Sequence, residues 1–247
     1  MTSTSEAPAA AEREGAPDLA TLRRSQILHA AVVVIARDGA DRARLKDVAA
    51  EARVSLGMVQ HYFRTRDELM AAAFDTMMSL SARNWETLGR SAPDPLVLLC
   101  AGLRMHVYGS TPFAQRWGFW VELWSVARRD PALARTAHAV YERWTEPFTA
   151  ALSALARLGE ISTDESPEEL SVEILALIDG LAVRAVVDAD ALDVDAMHAR
   201  LLAAASRSLG IPPSRAREAD RAAQQWLAHH VPATPFSPAL LAGTLDH

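Results

Sequence analysis

RLKDVAAEARVSLGMVQHYF, residues 44–63, holds two short helical periods around a turn. Leu45, Val48, Ala49 and Val54 put apolar groups on the inner side of a first helix at about 45–51 and of the turn after it. Val59 and Phe63, four residues apart, anchor a second helix at about 55–61. It opens at Ser55, whose hydroxyl can accept from a free N–H of the first turn. Ala49 is small where two short helices crossing steeply must touch. The spacing predicts a helix-turn-helix, against the plainer reading of two core-packing helices.

Working outward, Leu22, Ile27, Ala30, Ala31, Val34 and Ile35 fall near helical spacing and predict a helix over about 20–37, closed at Asp38-Gly39. On the other side, Thr65 and Glu68 form a capping box that opens a run of about 66–88, free of proline and glycine until Gly89. Helical patterns follow at about 95–109, 112–129, 131–157, 167–189 and 193–209. Ser166-Pro167-Glu168-Glu169 is a strong start signal, whereas Pro147 should kink or divide its helix. No alternating strand pattern, phosphate-cradling glycine loop or fixed-period repeat is present.

The expected fold is therefore all-α. It has an N-terminal three-helix helix-turn-helix domain at 19–70, joined by a long helix to a helical-bundle domain at 71–210. Residues 1–18, rich in Ala, Glu, Pro, Ser and Thr, read as a disordered leader. Within the extension at 211–247, SRAREADRAAQQWLAHH can form a helix; VPATPFSPALLAGTLDH, with three prolines in seven residues, is expected not to.

Half of the 247 residues are hydrophobic, which supplies a core, and the single Cys100 excludes an internal disulfide framework. A reducing, cytoplasmic setting fits. No cofactor, metal site or catalytic constellation is expected: there is no Ser/His/Asp arrangement, HExxH helix or Walker loop. The net charge of -6 argues mildly against nucleic acid, but it is uneven. From Leu19 to Arg66, nine basic residues (Arg23, Arg24, Arg37, Arg42, Arg44, Lys46, Arg53, Arg64, Arg66) face four acids (Asp38, Asp41, Asp47, Glu51), a local +5 that leaves -11 elsewhere. A basic module sits on an acidic body.

Residues 23–69 resemble the DNA-binding part of the TetR family of transcriptional regulators. The match runs through Ile27, Leu28 and Ala31, the Asp38-Gly39 break, then Val54, Ser55, Gly57, Val59, Tyr62, Phe63, Glu68 and Leu69. Leu56 and Gln60 depart from the residues many relatives carry, which bears on the operator read and not on the motif. The segment WGFWVELWSVARRDPALARTAHAVYERWTEPFTAAL and the later ALIDGLAVRAVVD look like the C-terminal domain of the BetI-like branch, some of whose members sense choline or related molecules.

The resemblance implies a homodimeric repressor released from a pseudo-palindromic double-stranded DNA operator when a small molecule binds the helical body. The alternatives are an activator, or a helical protein-interaction module. The expected DNA contacts are Arg44, Lys46, Ser55, Leu56, Met58, Gln60, His61, Tyr62, Arg64 and Arg66. Gln60 suits an adenine edge, Leu56 or Met58 a thymine methyl, and Arg44 and Lys46 the phosphates. Phe113, Trp117, Trp120 and Trp124 recur at spacings of four, three and four, and Tyr141, Trp144 and Phe148 continue the pattern on the next helix. These stripes read either as plain core or as the wall of a cavity for an aromatic ligand or organic cation, with Glu122 as the nearby acid and Met105 and His106 beside it. The helices at 167–189 and 193–209 are the expected dimer pair. Gly180 permits close approach there, and Asp179 needs a partner, for which Arg184 is a candidate.

Overall fold

A computed structural model describes residues 18–91, 94–109, 111–230 and 236–245; the expected leader lies outside these, apart from Asp18. The described residues form eleven α-helices and no strand. They are α1 (Leu19–Asp38), α2 (Leu45–Ala52), α3 (Leu56–Tyr62), α4 (Arg66–Ser91), α5 (Pro95–Val107), α6 (Phe113–Ala127), α7 (Pro131–Arg157), α8 (Pro167–Val187), α9 (Val194–Ser208), α10 (Pro213–His230) and α11 (Pro238–Leu245).

The helix ends follow from local chemistry. Asp18, Ser55, Asp94, Asp130, Ser166 and Asp193 each accept from a backbone N–H two or three residues on, so the first turns of six helices are capped. At α8 the capping box is complete, with Glu169 accepting from the Ser166 N–H. Between α2 and α3 the chain reverses at Arg53, the one described non-glycine residue with positive φ (55°). Its left-handed backbone lets the Arg53 and Val54 N–H groups bond back to the Ala50 and Ala49 carbonyls.

In the N-terminal unit, α1 packs against α2 and α4, and α2 against α3. Val48, Ala49, Ala52, Val59 and Phe63 are buried, as the helix-turn-helix reading requires. Gln26 donates to the Ala52 carbonyl at 2.7 Å and fixes the end of α2 on α1. By length and composition α1 could cross a membrane, but its apolar side is core: Ile27, Leu28, Ala31, Val34 and Ile35 are fully buried.

The body is built around α5, with α7, α9 and α10 packed on it; α7 and α8 form the other close pair. Pro147 lies within a single element, α7, and does not divide it. One expectation fails. The last segment does contain a helix: α11 begins at Pro238, a residue suited to the first helical position because its missing N–H has no partner there anyway. Ser237 caps it from Leu240 at 3.3 Å, and Leu241 and Ala242 are fully buried. Residues 231–235, which carry the other two prolines, lie outside the described set.

Candidate functional site: a helix-turn-helix face and a tryptophan-walled cavity

The outward side of α3 carries Leu56, Met58, Gln60 and His61, all exposed, beside exposed Arg44 and Lys46 at the start of α2 and Arg64 after α3. Leu56 and Met58 are among the few large apolar side chains left in solvent, at 42% and 38% exposure, in the chain's most basic segment. Three further expected contacts also have bonds or packing within the protein. The Ser55 hydroxyl caps α3 by accepting from the Met58 N–H at 3.1 Å. Tyr62 is half-buried against the core. Arg66 turns inward and donates to the Ala43 carbonyl at 2.8 Å and to the Ala40 carbonyl, tying α4 to the α1–α2 turn. A planar guanidinium with several donors suits this stapling of free carbonyls.

The cavity lies between α4, α5, α6 and α7 and opens to solvent; its volume is about 50 Å³, within about 510 Å³ of atom-free space that includes the open solvent at its mouth. Met105, His106, Trp117, Trp120 and Trp144 line it, together with Met77, Leu80, Ser81, Trp85, Gly109 and Arg116, which the sequence did not single out. Its rings stand at steep mutual angles: Trp120 to Trp144 at 84° with centroids 5.2 Å apart, and Trp117 to Trp144 at 61° and 6.2 Å. Trp144 donates its Nε1–H to Ser81 Oγ at 2.7 Å and Trp117 donates to the His106 carbonyl at 2.9 Å, so both rings are held in place.

His106 is the polar atom of consequence. Its Nδ1 lies 3.0 Å from the Gly102 carbonyl, an acceptor only, so the proton sits on Nδ1 and Nε2 carries a lone pair. Burial brings the imidazole down to about 4 and keeps it neutral at pH 7. Nε2 is shielded from solvent and has no hydrogen-bond partner within the protein. Arg116 is half-buried, and the loss of water around its guanidinium lowers it to about 10 and leaves it charged. Its two terminal nitrogens donate to the His106, Val107 and Thr111 carbonyls at 2.6–2.9 Å, so the guanidinium caps the negative end of α5.

The remaining expected ligand residues lie elsewhere. Glu122 faces away from the cavity: its carboxylate accepts from the Ala40 N–H at 2.7 Å and lies 3.5 Å from where a Gly39 side chain would begin. Phe148 is buried behind the wall, against Trp85 and His106. Trp124 and Tyr141 stack on each other at 15° beside the wall, and Tyr141 donates to Asp179 at 2.6 Å. Asp179 therefore pairs with Tyr141 and not with Arg184, which is exposed; burial raises its carboxyl to about 6. Gly180 has open space where a side chain would begin.

Cavity and reading face are physically joined. α6 presents Trp117 and Trp120 to the cavity and Glu122 to the α1–α2 turn. Gly118 lets α6 pass close to α1, since a side chain there would start 3.1 Å from the Ala36 carbonyl. α4 begins at the Arg66 staple and lines the cavity about three to five turns later with Met77, Leu80, Ser81 and Trp85.

Residues 27–73 match the model of bacterial regulatory proteins of the tetR family, and residues 108–210 match that of the BetI-type transcriptional repressor C-terminal domain, together more than half of the chain. The chain belongs to the TetR family. As a TetR-family member it is a DNA-binding transcriptional regulator, a class that is in general not enzymatic. The HTH-type transcriptional regulator BetI of Pseudomonas paraeruginosa is 28% identical over 182 residues, 70% of this chain and 86% of that protein. A TetR-family regulator from Rhodococcus sp. has the same fold, with a TM-score of 0.62 and 25% identity over 76% of this chain and 99% of that one. A transcriptional regulator from Saccharomonospora viridis, solved with choline, superimposes with a TM-score of 0.66 at 23% identity over 72% and 92% of the two chains.

Proposed function

We propose that this TetR-family regulator is a homodimeric repressor released from a pseudo-palindromic operator by a small organic cation that carries a hydrogen-bond donor. The observation that carries the reading is the cavity of four tryptophans whose walls, α4 and α6, also hold the helix-turn-helix. Faces of Trp85, Trp117, Trp120 and Trp144 attract an alkylammonium group by about 1–2 kcal/mol for a desolvated contact. The Nε2 lone pair of His106 takes a hydroxyl or N–H from the same ligand. The Arg116 charge opposes a cation least where it is compensated, and the carbonyls at the end of α5 do that. Choline, the molecule held by the S. viridis regulator, has the chemistry described and is the first probe.

Gln60 reads an adenine edge, Leu56 or Met58 a thymine methyl, and Arg44, Lys46 and Arg64 hold phosphates. Dimerisation uses α8 and α9. Along α8, Val172, Ala176, Gly180, Val183 and Val187 form an exposed stripe of small and apolar residues at spacings of four, four, three and four. Ligand in the cavity displaces α4 and α6, which turn the reading heads away from successive major grooves. Selection of bound DNA from a random pool, followed by titration with choline, tests this. A palindromic site whose affinity falls with choline supports the reading; recovery of no preferred sequence overturns it.

A further inference from the structure

Residues past 210 lie beyond both family matches, and the BetI relatives align with about 70% of the chain. Among the described residues this extension is a two-part arm. Its first part, α10, is fixed to the body. Asp220 of α10 bonds Arg104 of α5 at 2.9 Å and sits 3.1 Å from His198 Nε2 of α9, with all three side chains nearly buried. Ala216, Ala219, Ala223 and Trp226 bury the rest of that face. Its second part, α11, packs on α1 of the DNA-binding unit and on α4, the helix that the two units share. Leu241 and Ala242 are fully buried there, and the Phe236 ring lies over His29 of α1 with centroids 4.6 Å apart.

Five residues separate His230 from Phe236, a reach of at most about 22 Å. We infer that α10 and α11 form an intramolecular clamp, a further tether across the two units that restricts the angle of the reading head to the body. α4 runs continuously from one unit into the other, and the α1–α6 contact with its Glu122 bond opposes a pivot at the start of α4. An arm anchored at Asp220 on one side and at Leu241 on the other blocks that pivot unless α11 undocks. The clamp narrows the range of head positions in the free protein, so less ordering is needed on DNA, and a ligand-driven shift of α6 must move the head as a unit.

Single-molecule FRET between dyes on the exposed positions Ala50→Cys and Glu142→Cys tests the clamp in the full chain, where Cys100 is buried and its thiol is pushed up to about 12. The parent should show one narrow distance distribution. Leu241→Asp, which places a charge in the α11 contact, should broaden it or add a second population, and truncation after His230 should do the same. Operator affinity should fall several-fold in both, without change in the oligomeric state. An unchanged distribution in both variants overturns the clamp. If Leu241→Asp fails to fold, the truncation decides alone. The FRET readout needs neither operator nor ligand, so its failure is separable from failure of the repressor reading.

Discussion

Glu122→Ala removes the charged hydrogen bond by which α6 itself holds the α1–α2 turn, leaving the Arg66 staple from α4 and the exposed Arg129–Asp41 pair. Ala40 is fully buried, so its N–H loses the acceptor it has at 2.7 Å. A hydrogen bond to a charged acceptor contributes about 1.5–3 kcal/mol, and in a chain of this length each kcal/mol is worth about 2–4 °C in Tm. A fall of about 3–12 °C is therefore expected. The second expected effect concerns communication. With α6 no longer holding the turn, choline should still bind the cavity with little change in affinity, while its effect on operator binding shrinks several-fold. Glu122→Gln keeps an acceptor oxygen and should fall between the two. Differential scanning fluorimetry and fluorescence anisotropy on a labelled operator, with and without choline, measure both. A variant that melts with the parent and keeps the full ligand response would refute the reasoning.

Lys46→Ala should weaken operator binding across all sequences and flatten its salt dependence by about one counterion, whereas Gln60→Ala should relax preference at one base pair by about 1–3 kcal/mol; gel-shift titrations over a salt series separate the two. Gly102→Ala brings a methyl within 3.0 Å of the Trp85 and Phe148 rings and should destabilise by about 1–3 kcal/mol through overpacking, read by urea unfolding. Val183→Arg, on the exposed stripe of α8, should yield monomers by light scattering and abolish binding to a palindromic site without loss of helicity. The pH dependence has a definite sign. His106 is lowered by burial from 6.5 to about 4, so the unfolded chain takes up a proton first and stability falls as pH drops from about 6.5 to 4, by up to about 3 kcal/mol. Asp179, raised to about 6, works the other way between pH 6 and 3.8, so the comparison of His106 with His106→Leu is made in an Asp179→Asn background.

The helix-turn-helix was readable because its evidence is local. Ala49, Ser55, Val59 and Phe63 sit within fifteen residues, and each does in the structure what its spacing implies. The helix starts were readable for the same reason, being set by a capping side chain two or three residues away. The cavity was only half legible. Stripes on α6 and α7 named Trp117, Trp120 and Trp144, but a helical period does not say which neighbour a ring meets, so Trp124, Tyr141 and Phe148 were grouped with the wall although they stand outside it.

The α4 wall was missed because Trp85 is a lone ring among polar neighbours, and its place depends on packing from 60 residues away in sequence, against Phe148. Charge and sequence position do not show the bonds that Glu122 and Arg66 make within the protein: the first accepts from a turn 82 residues distant and the second donates to two carbonyls. In the last segment, prolines were read as helix breakers when Ser237-Pro238 is in fact a start signal followed by Ala-Leu-Leu-Ala. That signal was present in the sequence, unlike its docking site on α1.

The most direct test is a titration of the full chain against its selected operator by fluorescence anisotropy, at fixed salt, with and without choline, for the parent and Trp120→Ala. The account predicts sequence-selective binding that choline weakens at least tenfold in the parent and leaves nearly unchanged in Trp120→Ala. Equal operator affinity with and without choline in the parent, or an undiminished response in Trp120→Ala, would contradict it.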